Sequence, residues 1–186
     1  MLGFVRRLLG IAPPAAEVPA VQWQRVERTL PFLDHLPADD RVRLRELALE
    51  FLRRKEFHGA QGLALDGVLH EYDDEVLGEA WEGGPVLIAW FGHEGGPPGV
   101  NVVIHEFAHK LDMENGGVDG LPRLRPGMSR QAWADAFAHA YEDFCAEVDR
   151  GADTEIDPYG AEHPGEFFAV VSEAFFETPG VLKRRF

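Results

Sequence analysis

Apolar residues recur every three to four positions over most of this chain, which predicts a mainly helical protein. From Trp23 to Phe57 the spacing is helical, with Val26 and Leu30 ahead of Pro31. A stronger helix is expected from about Pro37 to Lys55, where Leu44, Leu47, Ala48, Phe51 and Leu52 form one stripe. A third helix should start at Asn101, a good N-cap, and stop at Asn115-Gly116-Gly117. In it Ile104, Phe107, Ala108 and Leu111 form an apolar stripe opposite two histidines. A long amphipathic helix is predicted over Ser129 to about Asp149, burying Trp133, Phe137, Ala140, Tyr141, Phe144 and Val148. The last helix starts near Pro164, suited to a first helical turn, and runs to about Glu177.

Extended structure is scarcer. Pro85 to Phe91 is a continuous apolar run between glycines and reads as the best strand, with a free edge able to pair with an extended peptide. Leu63 to Leu65 and Val68-Leu69 flank Asp66-Gly67 and suggest a small hairpin. Asp73 to Glu79 is acidic and reads as exposed, and Asp157 to Gly160 as a turn. The fold class is therefore α+β, mainly helical, with a small β-sheet beside the helix that begins at Asn101. Residues 1–20 read as a flexible N-terminal tail, and 21–186 as a single domain with a helical part over about 21–57 and a further part over about 79–186.

Composition narrows the function. The chain has 186 residues, 45% of them hydrophobic, enough for one core without disulfides. The single cysteine, Cys145, falls on the apolar side of its helix and reads as an inert buried thiol. His139 lies near that same face and reads as a packed core histidine. A net charge of −14, from 32 acidic against 18 basic residues, argues against direct nucleic-acid binding. The two arginines at positions 6 and 7 interrupt the apolar N-terminus, which argues against a secretory signal. No stretch approaches the length of a membrane span, and the expected compartment is the cytoplasm.

Residues 105–109 carry the chemistry: His-Glu-Phe-Ala-His. On a helix, His105 and His109 stand one turn apart on one face and can reach one ion. Glu106, beside them, is placed to take a proton from a metal-bound water. Neutral imidazole suits Zn²⁺, and an unligated carboxylate suits a general base. Two histidines need a third protein ligand and an open position for water. The metzincin continuation would put Gly at position 112 and His at position 115, where this chain has Asp112 and Asn115. The third ligand must come from later in the chain, and spacing leaves Glu162, His163, Glu166 and Glu173 open. Glu166 and Glu173, seven apart, share a helix face, while Phe167, Val170, Val171, Ala174 and Phe175 make the apolar side.

His105-Glu-Phe-Ala-His-Lys-Leu-Asp112, together with Tyr159 and Pro164-Gly-Glu-Phe-Phe-Ala-Val-Val-Ser-Glu173, resembles the Mlc titration factor A (MtfA-like) zinc metallopeptidases. Those are gluzincins whose catalytic core is similar to that of anthrax lethal factor. The resemblance extends over most of the chain: the segment from Arg53–Phe57 to Gly62-Leu63, the Trp81 to Trp90 segment, and everything through Phe176. It implies a zincin-like peptidase with one Zn²⁺ per chain held by His105, His109 and Glu166, the last lying seven residues after an active-site tyrosine, Tyr159. It also implies Glu106 as the base, with Tyr159 donating to the oxyanion. Glu173 and Asp112 become candidates for orienting the liganding histidines. The implied partners are a peptide or protein substrate, cleaved internally or as an aminopeptidase. A second implied role is sequestration of a glucose-responsive transcriptional repressor (Mlc), which needs no cleavage. One departure stands out: between Gly62-Leu63 and Trp81 this chain lacks an apolar helix and strand of the family. Their loss would remove part of the sheet and one wall of the cleft.

Overall fold

The computed structural model describes residues 18–55, 64–65, 68–69, 77–88 and 99–185. The chain divides into two compact units, Met1–Glu71 and Tyr72–Phe186. This division falls between the helical part expected over 21–57 and the part expected over 79–186. The tail expected over residues 1–20 lies outside the described residues up to residue 17.

In the first unit, α1 (Ala20–Arg28) leads through a 3-10 turn (Pro31–His35) into α2 (Ala38–Arg54). Arg45 donates to both carboxylate oxygens of Glu27, at 2.6 and 2.8 Å, joining the two helices. That hydrogen bond holds the Glu27 carboxyl below its ordinary pKa. The stripe on α2 stays exposed at Leu44, Leu47, Phe51 and Leu52, and neither helix has a buried residue. β1 (Ala64–Leu65) and β2 (Val68–Leu69) pair antiparallel, as the hairpin pattern predicts; Leu63, Asp66 and Gly67 lie outside the described residues.

The second unit opens with an antiparallel pair, β3 (Gly78–Ala80) and β4 (Val86–Ile88), with Glu79 opposite Leu87. The acidic stretch expected to be exposed thus ends in a half-buried strand. The strand expected over 85–91 is described as β4, and residues 89–98 lie outside the description. α3 (Val102–Met113) follows, capped by Asn101, whose side chain accepts from the Ile104 amide at 3.2 Å. Its stop is as expected, with Gly116 at φ +90°. Lys110 of α3 reaches across to the β3–β4 turn and donates to the carbonyls of Trp81 (2.6 Å) and Gly84 (3.0 Å).

α4 (Arg130–Asp149) is capped by Ser129, and α5 (Pro164–Glu177) has Pro164 in its first turn. Between them a 3-10 turn spans Pro158–Ala161. The core lies where these three meet. Phe144, Ile156, Phe167, Val170 and Ala174 are buried together, and Phe167 has the rings of Phe137, Tyr141 and Phe144 within 5.3 to 5.5 Å. Each buried phenylalanine contributes roughly 1.5–3 kcal/mol of transfer free energy. α6 (Pro179–Arg185) closes the core with Val181 and Leu182, and Arg185 stacks over Phe144. This seven-residue helix is too short for apolar periodicity to announce it, and the sequence places the last helix before it.

Three expectations about faces need correcting. His139 is exposed, 3.4 Å from Asp143, because two residues on from Phe137 is more than half a turn away from the core stripe. Cys145 is half-buried, its sulfur 3.7 Å from the Ala161 carbonyl. Phe175 is exposed at 60%, with Phe176 beside it, although it was placed on the apolar side of α5. Among the described residues no helix is long and apolar enough to cross a membrane.

Candidate metal centre

α3 is buried on its polar face. Glu106, Ala108, His109 and Asp112 are its buried residues, whereas Phe107 and Leu111 of the apolar stripe are exposed. A helix inverted in this way needs partners for its buried charges, since isolated ions are costly to desolvate. α5 provides two of them, and β3 provides space.

His105 is held on both sides. Its Nδ1 lies 2.8 Å from Glu173 and its Nε2 3.0 Å from Glu166. His109 turns its Nε2 to the same Glu166 oxygen, at 3.4 Å. The donor atoms of His105, His109 and Glu166 all lie within 4.8 Å of one another. Burial alone would push the His105 imidazole down; hydrogen bonds to Glu166 and Glu173 outweigh it and raise the pKa to about 9. Burial likewise pushes the Glu166 carboxyl up, and the two histidines overcome it, bringing the pKa to about 2. The Glu166 carboxylate is thus set between two imidazoles, surroundings that favour its charged form.

Glu173 is 4% exposed and links the two helices. Besides His105 it accepts from the Asn101 amide at the start of α3, and the Asn101 side chain donates to Glu177 at 2.8 Å. Of the other open candidates, Glu162 is exposed, and His163 caps α5 by accepting from the Gly165 amide at 3.1 Å. Spacing left four residues open, and the geometry brings Glu166 alone to both Nε2 atoms.

Glu106 lies against β3. A Cβ built on Gly78 would fall 2.5 Å from Glu106 Oε1, so the glycine provides the room the carboxylate occupies. Burial raises the Glu106 pKa, with the histidines opposing, and its Oε2 has no hydrogen-bond partner among the described residues. Tyr159 reaches the centre from the 3-10 turn, its ring centroid 6.1 Å from that of His105. Gly160 lets this turn approach: its Cβ would lie 3.3 Å from Phe144 and 3.4 Å from Phe167. Burial, then the nearby Glu166 charge, raises the Tyr159 pKa, so the hydroxyl keeps its proton.

Asp112 is fully buried and accepts from the Gly120 amide at 2.8 Å. Gly120, at φ +79°, takes a conformation that suits glycine, and the Phe137 ring leaves no room for a side chain there. Its carbonyl accepts from Trp133 Nε1 at 2.9 Å. Asp112 thus fastens the loop after α3 rather than either histidine. Gly78, Lys110 and Gly120 went unmarked in the sequence; the Trp81-Glu-Gly-Gly-Pro85 turn signal could have located β3 and Gly78.

A sequence profile described as glucose-regulated metallo-peptidase M90 matches residues 11–69 and 63–186. The chain belongs to this family. The two matched pieces meet at residues 63–69, the start of the stretch where the resemblance implied a shortened chain. Against other proteins, this M90 chain is 42% identical over 118 residues to an uncharacterized protein of Synechocystis sp., covering 60% of this chain and 43% of that one. Against Mlc titration factor A of Yersinia pestis and of Yersinia pseudotuberculosis it is 38% identical over 127 residues, covering 64% of this chain and 46% of theirs. It spans about half the length of the curated relatives it matches.

A metallopeptidase family implies a metal, and the residues fit one. Nitrogen and oxygen ligands at about 2.0–2.2 Å from a tetrahedral zinc-sized ion stand roughly 3.3–3.6 Å apart. The two Nε2 atoms meet Glu166 at 3.0 and 3.4 Å and the three donors lie within 4.8 Å of one another, so the imidazoles must draw together to share one ion. Two imidazoles and one carboxylate would supply three ligands to such an ion, the number that catalytic sites draw from the protein.

Proposed function

We propose that this chain is a zinc-dependent peptidase. The observation that supports it best is the meeting of His105 Nε2, His109 Nε2 and a Glu166 oxygen within 4.8 Å in an M90-family chain. These three would hold Zn²⁺, one per chain. When bound, zinc supplies a Lewis acid that polarises the peptide carbonyl and lowers the pKa of water at its open position towards about 7. Glu173 orients His105 by accepting from Nδ1. Glu106 accepts the attacking water's proton on its carboxylate and returns it to the leaving amine nitrogen. Its burial-raised pKa suits a group that must hold a proton between two steps. Tyr159 keeps its proton and donates a hydrogen bond to the carbonyl oxygen as that carbon becomes tetrahedral.

Glu106→Gln tests the base. Turnover of a fluorogenic peptide mixture should fall roughly 10²–10⁴-fold while bound zinc measured by elemental analysis stays unchanged. Undiminished hydrolysis in that variant would remove Glu106 from the mechanism. Comparing free with acetylated N-termini in the same assay separates aminopeptidase from internal cleavage.

The name of the Yersinia relatives, Mlc titration factor A, supports a second reading. In it the chain binds a glucose-responsive transcriptional repressor without cleaving it, in the cytoplasm. A Glu106→Gln protein that still captures such a repressor would favour this role.

A further inference from the structure

Away from the metal centre, one concave region carries charge of the opposite sign to the chain as a whole. Residues 121–130 read Leu-Pro-Arg-Leu-Arg-Pro-Gly-Met-Ser-Arg, three arginines and no acid, in a chain with 32 acidic and 18 basic residues. They line a cavity of about 250 Å³ whose walls include Arg123, Arg125, Arg130, Leu121, Leu124 and Met128. All three arginines are exposed, and none has an ion-pair partner among the described residues. Among the described residues Arg130 reaches only the Asn115 side chain, at 3.4 Å.

The local fold strengthens this charge. Arg130 is the first residue of the twenty-residue α4, whose first turn has no acid. The positive end of the helix dipole therefore adds to the guanidinium instead of being neutralised, which is an unfavourable arrangement until an anion arrives. The loop is also held in place. Its start is tied to α3 through Asp112 and to α4 through Trp133, both meeting at Gly120. Its end is turned by the Met128 amide donating to the Arg125 carbonyl at 3.1 Å. A site fixed in this way loses little ordering entropy when a ligand binds.

We propose that this cavity binds an acidic peptide segment of a partner or substrate protein, with carboxylates on the arginines and an apolar side chain against Leu121, Leu124 and Met128. Arginine forks match carboxylates bidentately, and the mixed lining suits a segment that alternates acidic with apolar residues. The volume is below the roughly 300–1,000 Å³ of small-molecule pockets and fits one or two side chains of a larger partner. A nucleic acid fits less well, because its charge would extend beyond the arginines into the field of a −14 chain.

Fluorescence anisotropy on the full chain tests this, using a labelled peptide that alternates Glu with Leu. It should bind, weaken as salt is raised, and lose about tenfold or more in affinity in R123E/R125E. The Lys–Leu counterpart should not bind. Equal affinity in R123E/R125E, or equal binding of the Lys–Leu or a Ser–Leu peptide, would overturn the proposal. So would a single-stranded oligonucleotide that binds more tightly than the acidic peptide and is lost in the same variant. If R123E/R125E loses its far-UV circular dichroism, R123Q/R125Q serves instead, with a smaller loss expected and an unchanged affinity again decisive. Glu106→Gln and chelator-treated protein should bind the peptide as the parent does, so this site and the peptidase reading fail separately.

Discussion

The two faces of α5 show how differently one helix can be held. On one face Phe167, Val170 and Ala174 enter a dry aromatic core; on the other, Glu166 and Glu173 meet the histidines of α3. The first face is stabilised by area removed from water and needs no particular geometry beyond close packing. The second is stable only as a set, because each buried charge depends on an opposite one at hydrogen-bond distance. Packing should therefore govern folding at the first face, and the placement of single atoms should govern chemistry at the second.

The largest expected effect comes from the packed face. Phe167→Ala should cost about 3–5 kcal/mol in denaturant unfolding, whether or not metal is present. A loss below about 1 kcal/mol would mean the aromatic cluster is not what holds α5. Next comes Glu173→Gln, which keeps an acceptor for His105 but turns an amide donor towards the Asn101 N–H. Zinc affinity by competition with a chromophoric chelator should fall about 10–100-fold. Unaltered affinity there would separate Glu173 from the metal site. The smallest effect is expected from Gly78→Ala, whose methyl group would collide with the Glu106 carboxylate. Peptide turnover should drop about tenfold, as small misplacements of reacting groups do, at constant zinc content. Full activity would show that Glu106 does not work from the position it occupies against β3.

This contrast also explains what the sequence revealed. Caps and periodicity located α3, α4 and α5, because Asn101, Ser129 and Pro164 act through their immediate neighbours. The pairing of His105 with His109 on one face was legible for the same reason, since i and i+4 are local. The buried side of α3 was not. Of the apolar stripe Ile104, Phe107, Ala108 and Leu111, only Ala108 is buried, and Phe107 and Leu111 are exposed, while Glu106, His109 and Asp112 lie inside. His109 turns to Glu166, some sixty residues later, Glu106 fills the room left by the missing Cβ of Gly78 on a strand of three residues, and Asp112 holds the Gly120 amide. Hydrophobic pattern carries no trace of such long-range pairing. Spacing on α5 likewise could not separate Glu166 from Glu173; resemblance to the family implied Glu166, which lies 3.0 and 3.4 Å from the two Nε2 atoms. His139 was misplaced because a histidine two residues from Phe137 looks close in the sequence but points away on the helix.

In the proposed function two imidazoles and one carboxylate grip a single divalent ion. Elemental analysis of zinc-loaded, exhaustively dialysed protein tests it directly, comparing the parent with Glu166→Gln and His109→Ala. About one zinc per chain in the parent and well under half that in both variants is the predicted result. A parent with no stoichiometric zinc, or variants that retain it as fully as the parent, would contradict the account.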